Sequence, residues 1–352
     1  MSGKMDIRSM TRDELQEALV ADGLPRFRAG QVFRWLQARG VTDFSEMTDL
    51  SRDLREKLAE KYEIYSAKAL RVQRSKLDGT VKFLFRLHDG ECVESVLMQY
   101  HHGNSICIST QVGCKMGCTF CATGRSGFAR SLAPSEMLAQ IQAAEKETGL
   151  TISNIVLMGM GEPLDNYDAV LRFLHLVSCE EGMHIGMRHI SLSTCGLVDQ
   201  IDRLAKEKLQ LTLSVSLHAP NDAIRNQTMP VNRKWNVETL LQACRRYANA
   251  THRRISFEYA MIRGVNDSDA CAHELGCRLS GMLCHVNLIP VNDVTGAGYH
   301  KSTIERQQSF IRILQHYGIT ATVRRTLGSD IDASCGQLRR RYEKEAPDEN
   351  SL

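Results

Sequence analysis

Between residues 105 and 324, short apolar segments rich in β-branched residues recur along the chain, and helical patterns fill several of the gaps between them. The segments lie at 106–112, 154–158, 189–193, 210–216, 254–260, 284–289 and 319–324. Helical periodicity is clear at 135–148 and 237–248. Strands that alternate with helices predict a parallel sheet joined by right-handed crossovers. The fold class is therefore α/β, and seven strands are compatible with a doubly wound sheet or a partial β/α barrel.

The first hundred residues follow a different pattern. Residues 1–65 are predicted to be helical, with a capping box at Thr11–Glu14 and further helices near 29–36 and 50–62. Residues 79–100 alternate like two strands around a turn at Asp89 and Gly90. We therefore predict a small helical accessory domain (1–65), a β-hairpin connector (66–104), the α/β domain (105–341) and a polar tail (342–352).

Composition excludes several classes of protein. The 352 residues are 43% hydrophobic and 24% charged, which is ordinary for a globular chain and unlike a disordered or collagen-like one. No apolar run approaches the roughly 18 residues of a membrane span, and the first residues mix both charges where a signal peptide would be apolar. We expect a cytoplasmic protein that is not associated with membranes.

The net charge of +3 is too small to indicate nucleic-acid binding, but the basic residues are unevenly distributed. Two windows contain no acidic residue: the first carries Arg26, Arg28, Arg34 and Arg39, and the second carries Lys68, Arg71, Arg74 and Lys76. Such windows form either solvated basic faces or a surface that contacts phosphates. Charge alone does not decide between these two interpretations.

Three cysteines within eight residues are the strongest chemical signal. Cys114, Cys118 and Cys121 have C-x3-C-x2-C spacing directly after a predicted strand, in a loop whose glycines permit tight turns. A structural zinc site needs four protein ligands, and no second pair is nearby. An iron–sulfur cube normally takes four thiolates, so three would leave one iron open to another ligand. The spacing favours such a cube, while zinc and chance clustering stay open.

The spacing resembles the radical S-adenosylmethionine superfamily, whose core is a partial β/α barrel. Longer blocks resemble the RlmN/Cfr family of RNA adenosine methyltransferases within it. These blocks are Ser109–Cys114, Cys118–Gly124, Met158–Pro163, Ser214–Asn221 and Gly328–Leu338. The resemblance extends from the helical amino-terminal part to about residue 341.

This resemblance implies a chemistry and assigns residues to it. Cys114, Cys118 and Cys121 would hold a [4Fe-4S] cluster, and two S-adenosylmethionine molecules would be used per turnover. The product would be methylated at C2 of an adenosine, in the peptidyl-transferase centre of 23S rRNA and next to the anticodon in tRNA.

The resemblance also implies the order of the steps. Cys335 would be methylated first, and a 5′-deoxyadenosyl radical would then take hydrogen from that methyl group so that the carbon adds to the base. Glu94 would accept the ring proton, with Glu91 as the nearest rival. Cys107 would release the product by forming a transient disulfide with Cys335.

The residues that the resemblance assigns to S-adenosylmethionine follow predicted strands, where a β/α barrel carries its functional side chains. They are Gly161, Glu162, Ser193, Ser216, Leu217, His218 and Asn292. The resemblance further implies a low-potential electron donor such as flavodoxin, and we expect a monomer.

Two other functions compete with this interpretation. One is Cfr-like methylation of adenosine at C8, although Glu162-Pro163-Leu164 resembles the C2-specific form of that block. The other is a non-catalytic iron–sulfur protein that binds RNA, which would require four protein ligands. The lack of a fourth clustered cysteine and the pair Cys107 and Cys335 argue against it.

Overall fold

The computed structural model describes residues 3–291 and 299–331, so the predicted site residues Asn292 and Cys335 and the predicted tail lie outside the described residues. Within the described ranges the helices are α1 Arg12–Ala21, α2 Phe27–Gln37, α3 Arg52–Lys61, α4 Pro134–Thr148, α5 Tyr167–Ser178, α6 Val198–Glu207, α7 Asp222–Thr228, α8 Val237–Thr251, α9 Asp269–Leu279 and α10 Ile304–His316. The strands are β1 Met5–Asp6, β2 Tyr62–Glu63, β3 Lys68–Arg74, β4 Val81–Arg86, β5 Cys92–Tyr100, β6 Gly103–Cys107, β7 Gln111–Gly113, β8 Phe128–Ser131, β9 Ile152–Leu157, β10 Ile190–Thr194, β11 Thr212–Ser216, β12 Ile255–Met261, β13 Cys284–Pro290 and β14 Thr320–Val323.

The central sheet follows the predicted alternation of strands and helices. Its strand order is β14-β13-β12-β11-β10-β9-β6-β5-β4-β3, and every pair from β6 to β14 is parallel. Residues after β14 and residues of β5 line one cavity, so the sheet is curved. Because β14 and β3 are unpaired edges within the described chain, the barrel is partial. The predicted α/β fold class is confirmed.

The first predicted strand, 106–112, differs from the structure. The parallel strand β6 ends at Cys107, and Gln111–Gly113 forms the separate strand β7, which pairs with β8. The chain turns away because the Thr110 and Gln111 amides both donate to the carbonyl of Met160, beyond the end of β9. This turn directs the following loop over the carboxyl end of the sheet.

The predicted hairpin is present as β4 and β5, which pair from Val81 with Leu97 to Arg86 with Cys92. It is not a separate connector, since β5 also pairs with β6 and extends the barrel sheet. The sequence did not indicate β3, which covers the outer side of β4 as the edge strand.

The amino-terminal helices form as predicted and share one hydrophobic core with the barrel. In α1 the Thr11 hydroxyl accepts from the Glu14 amide, and the Glu14 carboxylate accepts from the Thr11 amide. The predicted apolar face of α2 is buried. Ser135 at the start of α4 donates to Asp6 at 2.6 Å, which joins the two parts. None of the helices described here is long and apolar enough to span a membrane.

Candidate active site

One cavity of about 340 Å³ opens at the carboxyl ends of the parallel strands. Its walls include the predicted site residues Cys114, Cys118, Cys121, Gly161, Glu162, Ser193, Ser216 and His218. Carboxyl ends of neighbouring parallel strands meet at one edge of a sheet, so residues far apart in the chain converge there. Leu217 differs from this group, because its side chain lies in the hydrophobic core and, within the described residues, is not part of the cavity wall.

The cysteine loop is held in place by its backbone. The Cys114 amide donates to the carbonyl of Gly127 at 2.8 Å, and the Thr119 amide donates to that of Thr228 at 3.0 Å. Gly113, directly before Cys114, has φ +83°, and a Cβ there would lie 2.1 Å from the Gly127 carbonyl oxygen. A glycine is therefore required at this position for the loop to close over the cavity.

The thiols of this loop line the cavity, but without a bound metal they stay protonated near neutral pH. Burial raises the pKa of Cys114 and of Cys118 to about 12. A bound cation offsets this effect, because coordination stabilises the thiolate form. Sulfur donors on a glycine-rich loop are the ligand type that iron–sulfur clusters use, so these residues fit such a group.

A second group of potential metal ligands lies outside the cysteine loop. Among the described residues, the His88 ring and the carboxylates of Asp89 and Glu136 have ligand atoms within 4.8 Å of one another. In that group Arg130 forms ion pairs with both carboxylates, at 2.6 and 2.7 Å, so their oxygens already have a cationic partner from the protein.

Glu162 places a buried carboxylate at the cavity wall. It accepts from the backbone amides of Leu164 at 3.1 Å and Cys195 at 2.8 Å. Burial raises the pKa of Glu162, so a cationic ligand in the cavity would stabilise its charged form. Gly161 has φ +104°, and a Cβ there would lie 2.6 Å from the Gln111 side chain. The glycine allows this strand end to approach β7 closely.

His218 is a neutral hydrogen-bonding group at the same wall. Its Nδ1 accepts from the Ala260 amide at 2.9 Å, which leaves the ring hydrogen on Nε2. Burial, reinforced by the Arg225 charge, lowers the pKa of His218 to about 3. The residue has φ +58°, a left-handed conformation that is uncommon outside glycine and asparagine. Its imidazole is therefore fixed and uncharged near neutral pH.

Sequence reasoning missed Arg225, which organises this end of the barrel. Its guanidinium is fully buried and donates to the carbonyls of Cys195, Ser216 and Leu217 at 2.6–3.1 Å. It thereby joins the ends of β10 and β11 next to the cavity. An arginine in a polar stretch of sequence is typical of a surface, so no local signal identified it.

Cys107 ends β6 on the barrel-facing side of the sheet. It is buried beside its cross-strand partners Val96 and Val156. Its apolar cluster also contains Met158, a wall residue of the cavity, and Leu327, eight residues before Cys335 in the sequence. The described chain thus approaches Cys107 shortly before it reaches the second predicted catalytic cysteine.

Glu94 lies two residues before Val96 on β5, so its side chain is on the same sheet face as Cys107. It is 1% exposed, and its carboxylate is 2.7 Å from the ammonium of Lys82, which is 0% exposed. No sequence pattern indicated that Lys82 would be the partner of this carboxylate. Glu91 precedes the strand and is half-buried. Neither Glu94 nor Cys107 belongs to the wall of the 340 Å³ cavity as far as the chain is described.

The two basic windows lie on different secondary-structure elements. Arg26, Arg34 and Arg39 are exposed on and around α2. The second window follows the edge strand β3, where Arg74 approaches Glu147 at 3.6 Å. Positive charge on an edge strand also discourages pairing with other chains, so this window has a structural role of its own.

Comparison with known proteins covers nearly the whole chain. Residues 108–274 match the family model of the radical SAM superfamily, and residues 5–64 match that of the ribosomal RNA large subunit methyltransferase N-terminal domain. A probable dual-specificity RNA methyltransferase RlmN from Alkaliphilus oremlandii is 52% identical, over 96% of this chain and 98% of that protein. A protein of the same description from Lachnospira eligens is 50% identical, over 96% of each chain.

A solved structure shares the fold. The crystal structure of a radical SAM methyltransferase from Sphaerobacter thermophilus is similar with a TM-score of 0.90 and 48% sequence identity. The similarity covers 95% of this chain and 98% of that one.

Proposed function

The chain belongs to the RlmN family of radical SAM RNA methyltransferases, and we propose that it methylates C2 of an adenosine in 23S rRNA and in tRNA. The rRNA target lies in the peptidyl-transferase centre, and the tRNA target lies next to the anticodon. One observation carries this proposal. The cavity that contains the three thiols shares Met158 with the apolar cluster around Cys107.

Apart from Leu217, the described residues that would hold the cofactors line this cavity. Cys114, Cys118 and Cys121 would bind a [4Fe-4S] cluster, and Gly161, Glu162, Ser193, Ser216, Leu217, His218 and Asn292 would bind S-adenosylmethionine. When bound, these groups supply hydrogen-atom abstraction and the methyl group, with two S-adenosylmethionine molecules used per turnover. The Glu162 carboxylate would pair with the amino group of S-adenosylmethionine. The Nε2–H of His218 would donate a hydrogen bond to an acceptor atom of the same ligand. For Leu217 the contribution would come from its backbone, since its side chain is in the core.

The chain's own residues would then complete the reaction. Cys335 carries the transferred carbon, and Glu94 accepts the proton that leaves C2 of the base. We favour Glu94 over Glu91 because Glu94 shares a sheet face with Cys107. The adduct would also return one electron to the cluster that supplied it. The Cys107 thiolate attacks the sulfur of Cys335, the sulfur–carbon bond breaks with its electron pair on the carbon, and that carbon takes up a proton and becomes the methyl group of the released RNA. The disulfide that forms is reduced by exchange with an external dithiol, which restores both thiols.

The test separates the roles of the two cysteines. Cys335→Ala should leave RNA unmodified and not cross-linked. Cys107→Ala should accumulate a covalent complex in which the Cys335 sulfur is joined through one carbon to adenosine, because release is blocked. Nuclease digestion followed by peptide mass spectrometry would detect that mass on the peptide containing Cys335.

A matched control is Cys244→Ala, since Cys244 is equally buried but lies in α8 away from the cavity. It should turn over without a trapped complex. Normal turnover of Cys107→Ala, or attachment of the nucleoside to another cysteine, would contradict the two-cysteine mechanism. Nucleoside analysis of the product distinguishes methylation at C2 from methylation at C8.

Several partners belong to the same proposal. The helical amino-terminal domain and the two basic windows would contact RNA phosphates. A low-potential donor such as flavodoxin would supply electrons, and the protein would act in the cytoplasm as a monomer.

A further inference from the structure

A second cavity of about 470 Å³ lies inside the barrel, at the opposite end from the cysteine loop. Several of its wall residues stand near the amino ends of parallel strands, including Ser191, Thr212, Ser256 and His285. Their side chains point to the concave face of the sheet, so the interior of the barrel is hollow here rather than filled with apolar side chains. A polar hollow of this size is large enough to receive a small molecule or a single nucleotide base.

The two cavities adjoin. Met158, Glu258 and Arg324 belong to the walls of both. Along β11, Thr212 borders the second cavity and Ser216 borders the first, a separation of roughly 13 Å at about 3.3 Å per residue. Together the cavities span the barrel from its amino end to the cofactor residues.

The second cavity also adjoins the wall that holds Cys107. Met98, Tyr100, Val156 and Met158 border this cavity and also form the apolar cluster around Cys107. A molecule in the second cavity would therefore lie against the resolving cysteine on one side and below the cofactor cavity on the other. The acceptor of the transferred carbon has to occupy such a position.

The wall has the chemistry of a nucleotide site. Met98, Tyr100 and Met158 offer an apolar surface for the face of a base. The buried Glu258 carboxylate, which accepts from Asn287 at 2.7 Å and Ser256 at 3.0 Å, offers an acceptor for an amino group at its edge. An apolar wall with a buried polar edge suits a purine better than it suits a sugar or a lipid.

Positive charge is concentrated at the amino end. Arg253 and Arg254 border the cavity just before β12, while Arg324 borders it from the carboxyl end of β14. None of the three forms a salt bridge within the described part of the chain. Arg254 is exposed, and its charge helps burial to lower the pKa of His285, so the two groups lie close together. Guanidinium groups at the rim of a polar cavity are suited to phosphate oxygens.

From this arrangement we propose that the second cavity receives the target adenosine of the RNA through the amino end of the barrel, with the flanking phosphates held by Arg254 and its neighbouring arginines. The inference rests on the proposed function and adds the path and the contacts of the substrate. The base leaves its stack, enters between the apolar wall and Glu258, and presents its ring toward the cofactor cavity. Loss of stacking is offset by burial of the base and by the phosphate contacts.

Two variants of the complete protein test this proposal. Arg254→Glu reverses the charge at the rim, and Thr212→Phe fills the cavity near its entrance. The probe is a tRNA transcript with 2-aminopurine at a position next to the target adenosine, whose fluorescence reports the loss of stacking when the target base leaves the stack. Anisotropy measured across salt concentrations reports overall affinity, and equilibrium dialysis reports S-adenosylmethionine binding. Arg312→Glu, an exposed charge reversal on the outer helix α10, is the control for Arg254, and Gln315→Phe, a bulky substitution at an exposed position of the same helix, is the control for Thr212→Phe.

We expect Arg254→Glu to weaken RNA binding at least tenfold at low salt. The slope of log affinity against log salt concentration should decrease by about the amount that one phosphate contact contributes. Thr212→Phe should abolish the 2-aminopurine signal while overall RNA affinity falls less than threefold. Both variants should bind S-adenosylmethionine as the wild type does, and both controls should behave as the wild type in every assay.

Wild-type RNA affinity in Arg254→Glu together with a wild-type 2-aminopurine signal in Thr212→Phe would overturn the proposal and leave the proposed function intact. Since Arg254 is exposed, its variant stays informative even if Thr212→Phe fails to fold. Conversely, a wild-type protein that methylates no RNA would refute the proposed function, while the binding and fluorescence measurements would still decide whether the cavity takes the nucleotide.

Discussion

The buried pair Lys82 and Glu94 gives the sharpest prediction about stability. Both side chains are excluded from solvent, and their charged atoms are 2.7 Å apart. Lys82→Met keeps most of the aliphatic stem but removes the ammonium, so the carboxylate stays buried without that partner. Breaking a buried ion pair in this way typically costs about 3–5 kcal/mol.

The expected change in melting temperature follows from chain length. Unfolding entropy of about 2.1 cal/mol/K per residue gives roughly 0.7 kcal/mol/K for this chain. A loss of about 3–5 kcal/mol therefore corresponds to a decrease of roughly 4–7 °C. Circular dichroism recorded during heating, at equal cofactor content and heating rate, measures this decrease in melting temperature.

A double variant isolates the cause. Lys82→Met combined with Glu94→Leu replaces both charges by apolar groups and should recover most of the loss, because no charge is left buried. Arg52→Met breaks an exposed pair of similar geometry, Arg52 with Glu56 at 2.8 Å, and should leave the melting temperature nearly unchanged. The reasoning is refuted if Lys82→Met melts like the wild type, or if the double variant melts as low as the single one.

Three further predictions concern the cluster, the RNA surface and pH. Cys118→Ala should lose both the visible absorption of the reconstituted cluster and S-adenosylmethionine cleavage; full cluster occupancy in that variant would contradict the ligand assignment. Reversing Arg28 and Arg34 should weaken RNA binding and flatten its salt dependence while S-adenosylmethionine affinity stays the same, and unchanged RNA affinity at several salt concentrations would reject this role. The depressed pKa of His218, about 3 against 6.5 when unfolded, contributes stability that is complete above pH 6.5 and is lost as the pH falls toward 3. His218→Asn should therefore show a shallower decline of the urea midpoint over that range, and parallel pH profiles would show that His218 does not cause the decline.

Much of the fold follows from patterns that are local in the sequence. The capping box of α1 needs only residues three positions apart, and the apolar face of α2 needs only helical periodicity. The cysteine loop is similar, because Cys114, Cys118 and Cys121 are brought together by eight residues of chain. Even the grouping of Glu162 and Ser216 was predictable, since parallel strands place their carboxyl ends at one edge.

Other features depend on which strands become neighbours and in which register. The pairing of Lys82 with Glu94 requires the alignment of β4 with β5 in one particular register, because a shift of one residue between the strands would place the two side chains on opposite faces of the sheet. The burial of Arg225 depends on three carbonyls at or directly after the carboxyl ends of β10 and β11.

The sequence by itself therefore determined most of the elements, the cysteine loop and the end of the sheet at which the predicted site residues gather. Only the tertiary structure decided that β3 forms the edge of the sheet, that Leu217 is a core residue, that the hairpin extends the barrel, and that a polar hollow bordered by arginines adjoins the cavity of the cysteine loop. The physical reason is that helix caps and periodicity are set by neighbours along the chain, whereas a cavity is the space left between residues as distant as Met98 and Arg324. Its existence depends on the curvature and register of the whole sheet, which no single segment specifies.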